Sequence, residues 1–60
     1  MNDNTKAKIV ATIINLQDGE DELFDLIANK EIDQAQKESI ETAIREIHEA
    51  KYHLEKIVDY

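Results

Sequence analysis

Carboxylates are concentrated in one short run of this sequence, which extends from Asp18 to Asp25 and is acidic at five of its eight positions. Oxygen ligands could bind a divalent cation, but the run lacks the twelve-residue frame ending in glutamate that a calcium loop needs. A magnesium site on Glu22 and Asp25 would need further acidic pairs on a facing helix, which the apolar side of the chain does not supply. We therefore expect no metal site.

Two interpretations of the run stay open: a solvated helix end, or a docking surface for a basic patch on another protein. In the second, the partner-binding residues are Asp18, Glu20, Asp21, Glu22 and Asp25.

No set of residues for catalysis can be assembled from the other polar side chains. His48 and His53 are five positions apart and do not share a helical face. Neither follows a glutamate at the Glu-x-x-His spacing that metal-binding helical bundles use. No histidine converges on an aliphatic hydroxyl to make a nucleophile and base. The sequence thus predicts neither an enzyme nor a cofactor site.

These side chains must be positioned by helices, because apolar residues recur at steps of three and four and no strand-like alternation occurs. The first stripe is Ile9, Ile13, Leu16, Leu23 and Ile27, and the second is Ile40, Ile44, Ile47, Leu54 and Val58. Glu20 interrupts the first stripe and Lys51 interrupts the second. Glu20 could set the register of the helices, or bind a basic partner across the bundle, with Lys51 a candidate only in some dimer geometries. We favour Glu20 reaching solvent beside Gly19, and Lys51 extending its ammonium group past its neighbours into water.

The ends of both helices carry capping signals. Asp33 with Gln36 forms a capping-box pattern at the start of the second helix. Asn4 or Thr5 is expected to cap the first helix, and Asn29 to end it in a left-handed turn. The first helix either continues through Gly19 or is kinked or broken there. The stripe keeps its phase across Gly19, which favours continuity, whereas like charges four residues apart oppose it.

A turn near Lys30 would fold residues 1–60 into a single domain, an all-α antiparallel two-helix hairpin. Chains this short usually need disulfides, metals or partners, and this chain has no cysteine. A second apolar strip would stay uncovered in one hairpin, which predicts a homodimer forming a four-helix bundle. The expected oligomer interface comprises Ile9, Val10, Ile13, Ile14, Leu16, Ile44, Ile47 and Leu54.

This layout resembles that of the Rop-like proteins, short helical hairpins that dimerise into four-helix bundles. The resemblance covers the arrangement of the whole chain and none of its specific residues. Rop-like RNA binding depends on a basic face, whereas the exposed helix faces here are acidic or mixed. The resemblance therefore implies the bundle and not the RNA binding.

The net charge of the chain limits the kinds of molecule that it is expected to bind. Residues 18–41 hold nine acidic and two basic residues, a balance of −7 that equals the charge of the whole chain. Such a chain should avoid nucleic acid and anionic membranes and favour a protein with a basic surface. With no cysteine, no basic and apolar leader and no membrane span, we expect a cytoplasmic protein.

We predict a regulator or inhibitor of a larger protein, acting as a nucleic-acid-mimicking decoy for a DNA-binding protein. The alternative function is a helical bundle whose dimer binds a small molecule near Gly19, Glu20 and Lys51.

Overall fold

Two long helices make up the fold in a computed structural model that describes residues 1–59. Helix α1 spans Asp3–Ile27 and helix α2 spans Gln34–Val58. The six residues between them reverse the chain, so that the helices pack side by side as a hairpin. The Cα atoms extend over 45 × 14 × 10 Å, which makes the molecule a rod. No strand occurs in residues 1–59, and the expected all-helical hairpin is confirmed.

Helix α1 begins earlier than its sequence suggested. The cap is Asn2, whose Oδ1 accepts a hydrogen bond from the Thr5 backbone N–H at 2.8 Å, and not Asn4 or Thr5. The earlier start places Asp3 in the first turn, where its negative charge is stabilised by the positive end of the helix dipole. Asn2 is as favourable a capping residue as Asn4, and a cap at residue 2 lets the helix include Asn4 and Thr5 as well.

Helix α1 runs through Gly19 without interruption. Gly19 does not have a positive φ, and a Cβ added there would meet no atom within 4 Å. Packing of the continuous apolar stripe therefore outweighs the repulsion between Asp18 and Glu22 and between Asp21 and Asp25, and it keeps α1 a single helix. Each such like-charge pair destabilises a helix by only about 0.2–0.5 kcal/mol.

The capping box at the start of α2 is confirmed. The Gln36 N–H donates to Asp33 Oδ1 at 2.8 Å, and the Asp33 N–H donates to Gln36 Oε1 at 3.0 Å. The left-handed end expected at Asn29 is wrong, because no non-glycine residue of the described chain has a positive φ. Asn29 instead makes an Asx turn, in which its Oδ1 accepts from the Glu31 N–H at 2.9 Å.

The seam between the helices is only partly closed to water. Within residues 1–59 no apolar side chain is fully buried, and the two buried residues are Glu20 and Lys51. The apolar residues of both stripes are half-buried. One hairpin therefore leaves part of its apolar surface in contact with solvent, as expected for a chain with a single seam.

Candidate docking and assembly site

The acidic run lies on the last three turns of α1 and continues toward the turn between the helices. At about 100° per residue, Asp18, Asp21, Glu22 and Asp25 all project from the side of α1 opposite the seam. All four side chains are exposed. We call these four residues the acidic face. Positions 18 and 25 are seven residues apart, so the acidic face extends over roughly 10 Å along the helix axis.

Local electrostatics in α1 do not compensate this charge. The last turn of α1 contains no basic residue, although cations are favoured at the negative end of a helix dipole. The acidic face also keeps two like-charge pairs at the i, i+4 spacing. The helix therefore carries its carboxylates at a small cost in stability, which a cation brought from outside would relieve.

Glu20 is separated from the other four acidic residues. The expectation that it reaches solvent is wrong, because it points into the seam and keeps only 7% of its surface exposed. Its Oε1 accepts a hydrogen bond from Lys51 Nζ at 2.8 Å. With its carboxylate bound inside the hairpin, Glu20 is not available to a docking partner in the way that Asp21 and Glu22 are.

The expectation that Lys51 extends into water is also wrong. Its ammonium group donates to Glu20 and, at 2.5 Å, to Gln17 Oε1. Gln17 Nε2 in turn donates to Asp21 Oδ1 at 3.0 Å. Asp21 of the acidic face is thus connected through Gln17 to the ammonium group in the seam.

The sequence contained a signal for this pair. Glu20 and Lys51 are the polar interruptions of the two stripes, and their charges are opposite. Side chains in a helix tilt toward its N-terminus, so in antiparallel helices Glu20 and Lys51 lean toward each other along the rod. A simple alignment of the heptads does not place residues 20 and 51 opposite one another. The two side chains are long enough to meet across that offset.

The expected interface residues divide into two groups. Six are half-buried along the seam: Ile9, Ile13, Leu16, Ile44, Ile47 and Leu54. Val10 and Ile14 are exposed, at 38% and 56% of their surface. Phe24, Leu26 and Ile57, which the expected interface does not include, are 55%, 42% and 44% exposed. Each of them stands next to a stripe residue.

Residues 1–59 contain no group of three histidine, cysteine or carboxylate side chains placed to hold a metal ion. His48 lies with Nδ1 4.0 Å from Glu20 Oε2, and its side chain is 76% exposed. The same residues enclose no cavity in the single chain. Neither α1 nor α2 is long and apolar enough to cross a membrane.

No protein-family model, curated protein or solved structure matches the chain. The candidate site thus rests on its own geometry: an exposed acidic face on α1, a buried ion pair beneath it, and apolar surface that one hairpin leaves uncovered.

Proposed function

We propose that this protein is a small acidic homodimeric interaction module that regulates or inhibits a larger protein. In this proposal the acidic face binds a basic surface of the partner and occupies it as a decoy for nucleic acid. The module contributes no chemistry of its own, and its effect comes from excluding the partner's normal ligand.

The observation that carries the proposal is the placement of Asp18, Asp21, Glu22 and Asp25. They are exposed together on one side of a continuous helix, where mutual repulsion opposes all four and the helix dipole opposes Asp25 in the last turn. Natural sequences depart from local stability rules mostly at functional sites. A basic partner would turn each of these repulsions into attraction.

A decoy for nucleic acid needs negative charges in a row that a phosphate-binding groove can accept. Asp18 and Asp25 each lie three or four residues from the adjacent pair Asp21 and Glu22, which is about one helical turn or 5 Å along the axis. Glu31, Asp33, Glu38 and Glu41 continue the exposed negative charge around the turn and onto α2. Lysine and arginine residues that neutralise phosphates would meet a similar density of charge.

The homodimer is supported by the incomplete burial of the seam. A 60-residue chain with no fully buried apolar side chain in its described part needs further apolar contact to be stable. The small-molecule alternative has less support, because the polar side chains that suggested it, Glu20 and Lys51, bind each other.

Competition with DNA tests the decoy. Tagged protein captures the partner from its native host, and the chain is then titrated into the captured partner bound to labelled DNA. We expect displacement of the DNA, with a potency that falls as the salt concentration rises, because counterions screen both interactions. The Asp21→Lys, Glu22→Lys double variant should lose most of this potency.

The matched control is Glu49→Lys with Asp59→Lys, which makes the same change in net charge at an exposed position of α2 and at the exposed residue that follows it. The control should retain most of the displacement. If both double variants lose potency equally, the effect comes from net charge and not from the acidic face. If displacement of the DNA changes neither with salt nor in either double variant, the proposed decoy function is wrong.

A further inference from the structure

The hairpin has two broad sides, each formed by one flank of α1 and one flank of α2. Contacts across the seam show which flanks share a side. Gln17 binds Lys51, and His48 lies 4.0 Å from Glu20. The flank of α1 that carries Gln17 and the flank of α2 that carries His48 therefore lie on the same side of the hairpin. We call this side the charged face. Its polar residues are Gln17, Glu20, Asp21, His48, Lys51 and Glu55, and the exposed apolar residues Val10 and Phe24 lie among them on the α1 flank.

The opposite side differs sharply in composition. At about 100° per residue, the other flanks of the two helices bring together Leu16, Gly19 and Leu23 of α1 with Ala43, Ala50 and Leu54 of α2. We call these six residues the uncharged face. All six are half-buried, so each still has surface that the second helix does not cover. Charged side chains, Lys8 on α1 and Glu46 on α2, occur only at its edges.

Charge decides which side another copy of the chain can approach. Each chain has a net charge of −7, so two copies repel, and the repulsion is least when their contact keeps the acidic residues apart. A two-fold symmetric interface places the same patch of each copy against itself. Self-contact through the charged face would bring Asp21 and Glu55 toward their own copies, whereas self-contact through the uncharged face brings together leucine, alanine and glycine.

The side of the rod that carries the uncharged face is large enough for a second copy. With Cα extents of 45 by 14 Å, that whole side covers roughly 600 Å² before side chains widen it. The uncharged face occupies about 17 Å of its length, from Ala43 to Leu54 on α2, so a second copy would also cover the residues that flank it. Stable interfaces bury about 800 Å² on each partner. Small residues at Gly19, Ala43 and Ala50 allow the helices of the two copies to approach closely.

We propose that a second copy of this chain packs on the uncharged face and completes the core there. The inference rests on the homodimer of the proposed function and adds the surface that forms it. Val10 and Ile14 then stay outside the contact, because they project toward the charged face and the outer side of α1. The acidic face also stays outside it, free for a partner.

One pair of matched substitutions tests the face. Ala50→Glu puts a carboxylate on the uncharged face, and Ala11→Glu makes the same change on the outer side of α1. We expect Ala50→Glu to raise the dimer dissociation constant at least roughly 100-fold, because the carboxylate would be buried unpaired. Ala11→Glu should leave it within about threefold. Sedimentation equilibrium gives the constants, and circular dichroism confirms that both variants remain helical.

Thiol labelling keeps the test decisive if Ala50→Glu fails to fold. The chain has no cysteine, so Ala50→Cys and Ala11→Cys each provide a single thiol. The labelling rate of the Ala50→Cys variant should fall as protein concentration rises and dimers form. The rate of the Ala11→Cys variant should not change.

Three other results would overturn the inference. If Ala11→Glu or Ile14→Glu separates the dimer and Ala50→Glu does not, the contact lies on the outer side of α1 and the homodimer itself survives. Equal concentration dependence for the two thiols would place the contact elsewhere. An unsubstituted chain that sediments as a monomer at about 100 μM would remove the homodimer as well, while competition with DNA still tests the acidic face separately.

Discussion

Glu20 and Lys51 are the most enclosed residues of the described chain, and both are charged. Removing two charges from water costs several kcal/mol, and their attraction offsets this only when the geometry is good. Here Lys51 has two hydrogen-bond acceptors, and no buried polar side-chain atom within residues 1–59 lacks a partner. The pair therefore adds little net stability, but it penalises any sliding of the helices that would separate the charges.

Removing one member of the pair should be costly. In Lys51→Met, Glu20 keeps its buried position and loses its cation, so we expect the free energy of unfolding to fall by about 3 kcal/mol. Urea unfolding monitored by circular dichroism measures the change. Lys8→Met, at an exposed position of α1, is the control and should change stability by less than about 0.5 kcal/mol.

Replacing both members tests whether the pair sets the register. The double variant Glu20→Leu, Lys51→Leu should be as stable as the natural chain or more stable, since no charge is left unpaired. A Lys51→Met variant no less stable than Lys8→Met would mean that the pair is open to water in solution.

At the scale of the helices, most of the architecture follows from the sequence. The stripes predicted two helices, and the Asp33–Gln36 capping box fixed the start of α2 to the residue. The start of α1 was less determined, because Asn2, Asn4 and Thr5 can all cap and the choice depends on how far the helix extends. Asn29 was misjudged because its side chain serves equally well in an Asx turn as in a left-handed cap.

The candidate site was predictable in part. Exposure of the acidic residues at 18, 21, 22 and 25 followed from their distance from the stripe. The pairing of Glu20 with Lys51 did not follow, because it depends on the axial offset between the helices and on side-chain reach. Neither quantity can be obtained from the period of the apolar residues alone.

Gly19 offers a test at the scale of the helix. Glycine inside a helix is less stable than alanine by about 0.5–1 kcal/mol, and the single chain leaves open space where the Cβ of alanine would lie. We therefore expect Gly19→Ala to raise the thermal midpoint, measured at a protein concentration too low for dimers. Destabilisation under those conditions would contradict a regular helix at residue 19.

The whole molecule combines a negative rod with an uncharged side, and salt should affect its two proposed contacts in opposite directions. Screening reduces the repulsion between two chains of charge −7, so self-association through the uncharged face should tighten as salt rises. Binding of a basic partner to the acidic face should weaken over the same range.

Sedimentation equilibrium at about 10 mM and about 1 M salt measures the first effect, since the Debye length falls from about 30 Å to about 3 Å. We expect the dimer dissociation constant to fall severalfold. A dimer that separates as salt rises would be held by ion pairs between the chains. That result would contradict assembly through Leu16, Gly19, Ala43 and Ala50.

The burial of Lys51 has a practical consequence for chemical modification. Among the six lysines it alone is buried, while Lys37 is half-buried and Lys6, Lys8, Lys30 and Lys56 are exposed. An acylating reagent should modify the exposed amines first and reach Lys51 only when the helices part. The delay before acyl groups appear at Lys51, followed by mass spectrometry of peptides, would therefore time the spontaneous opening of the hairpin.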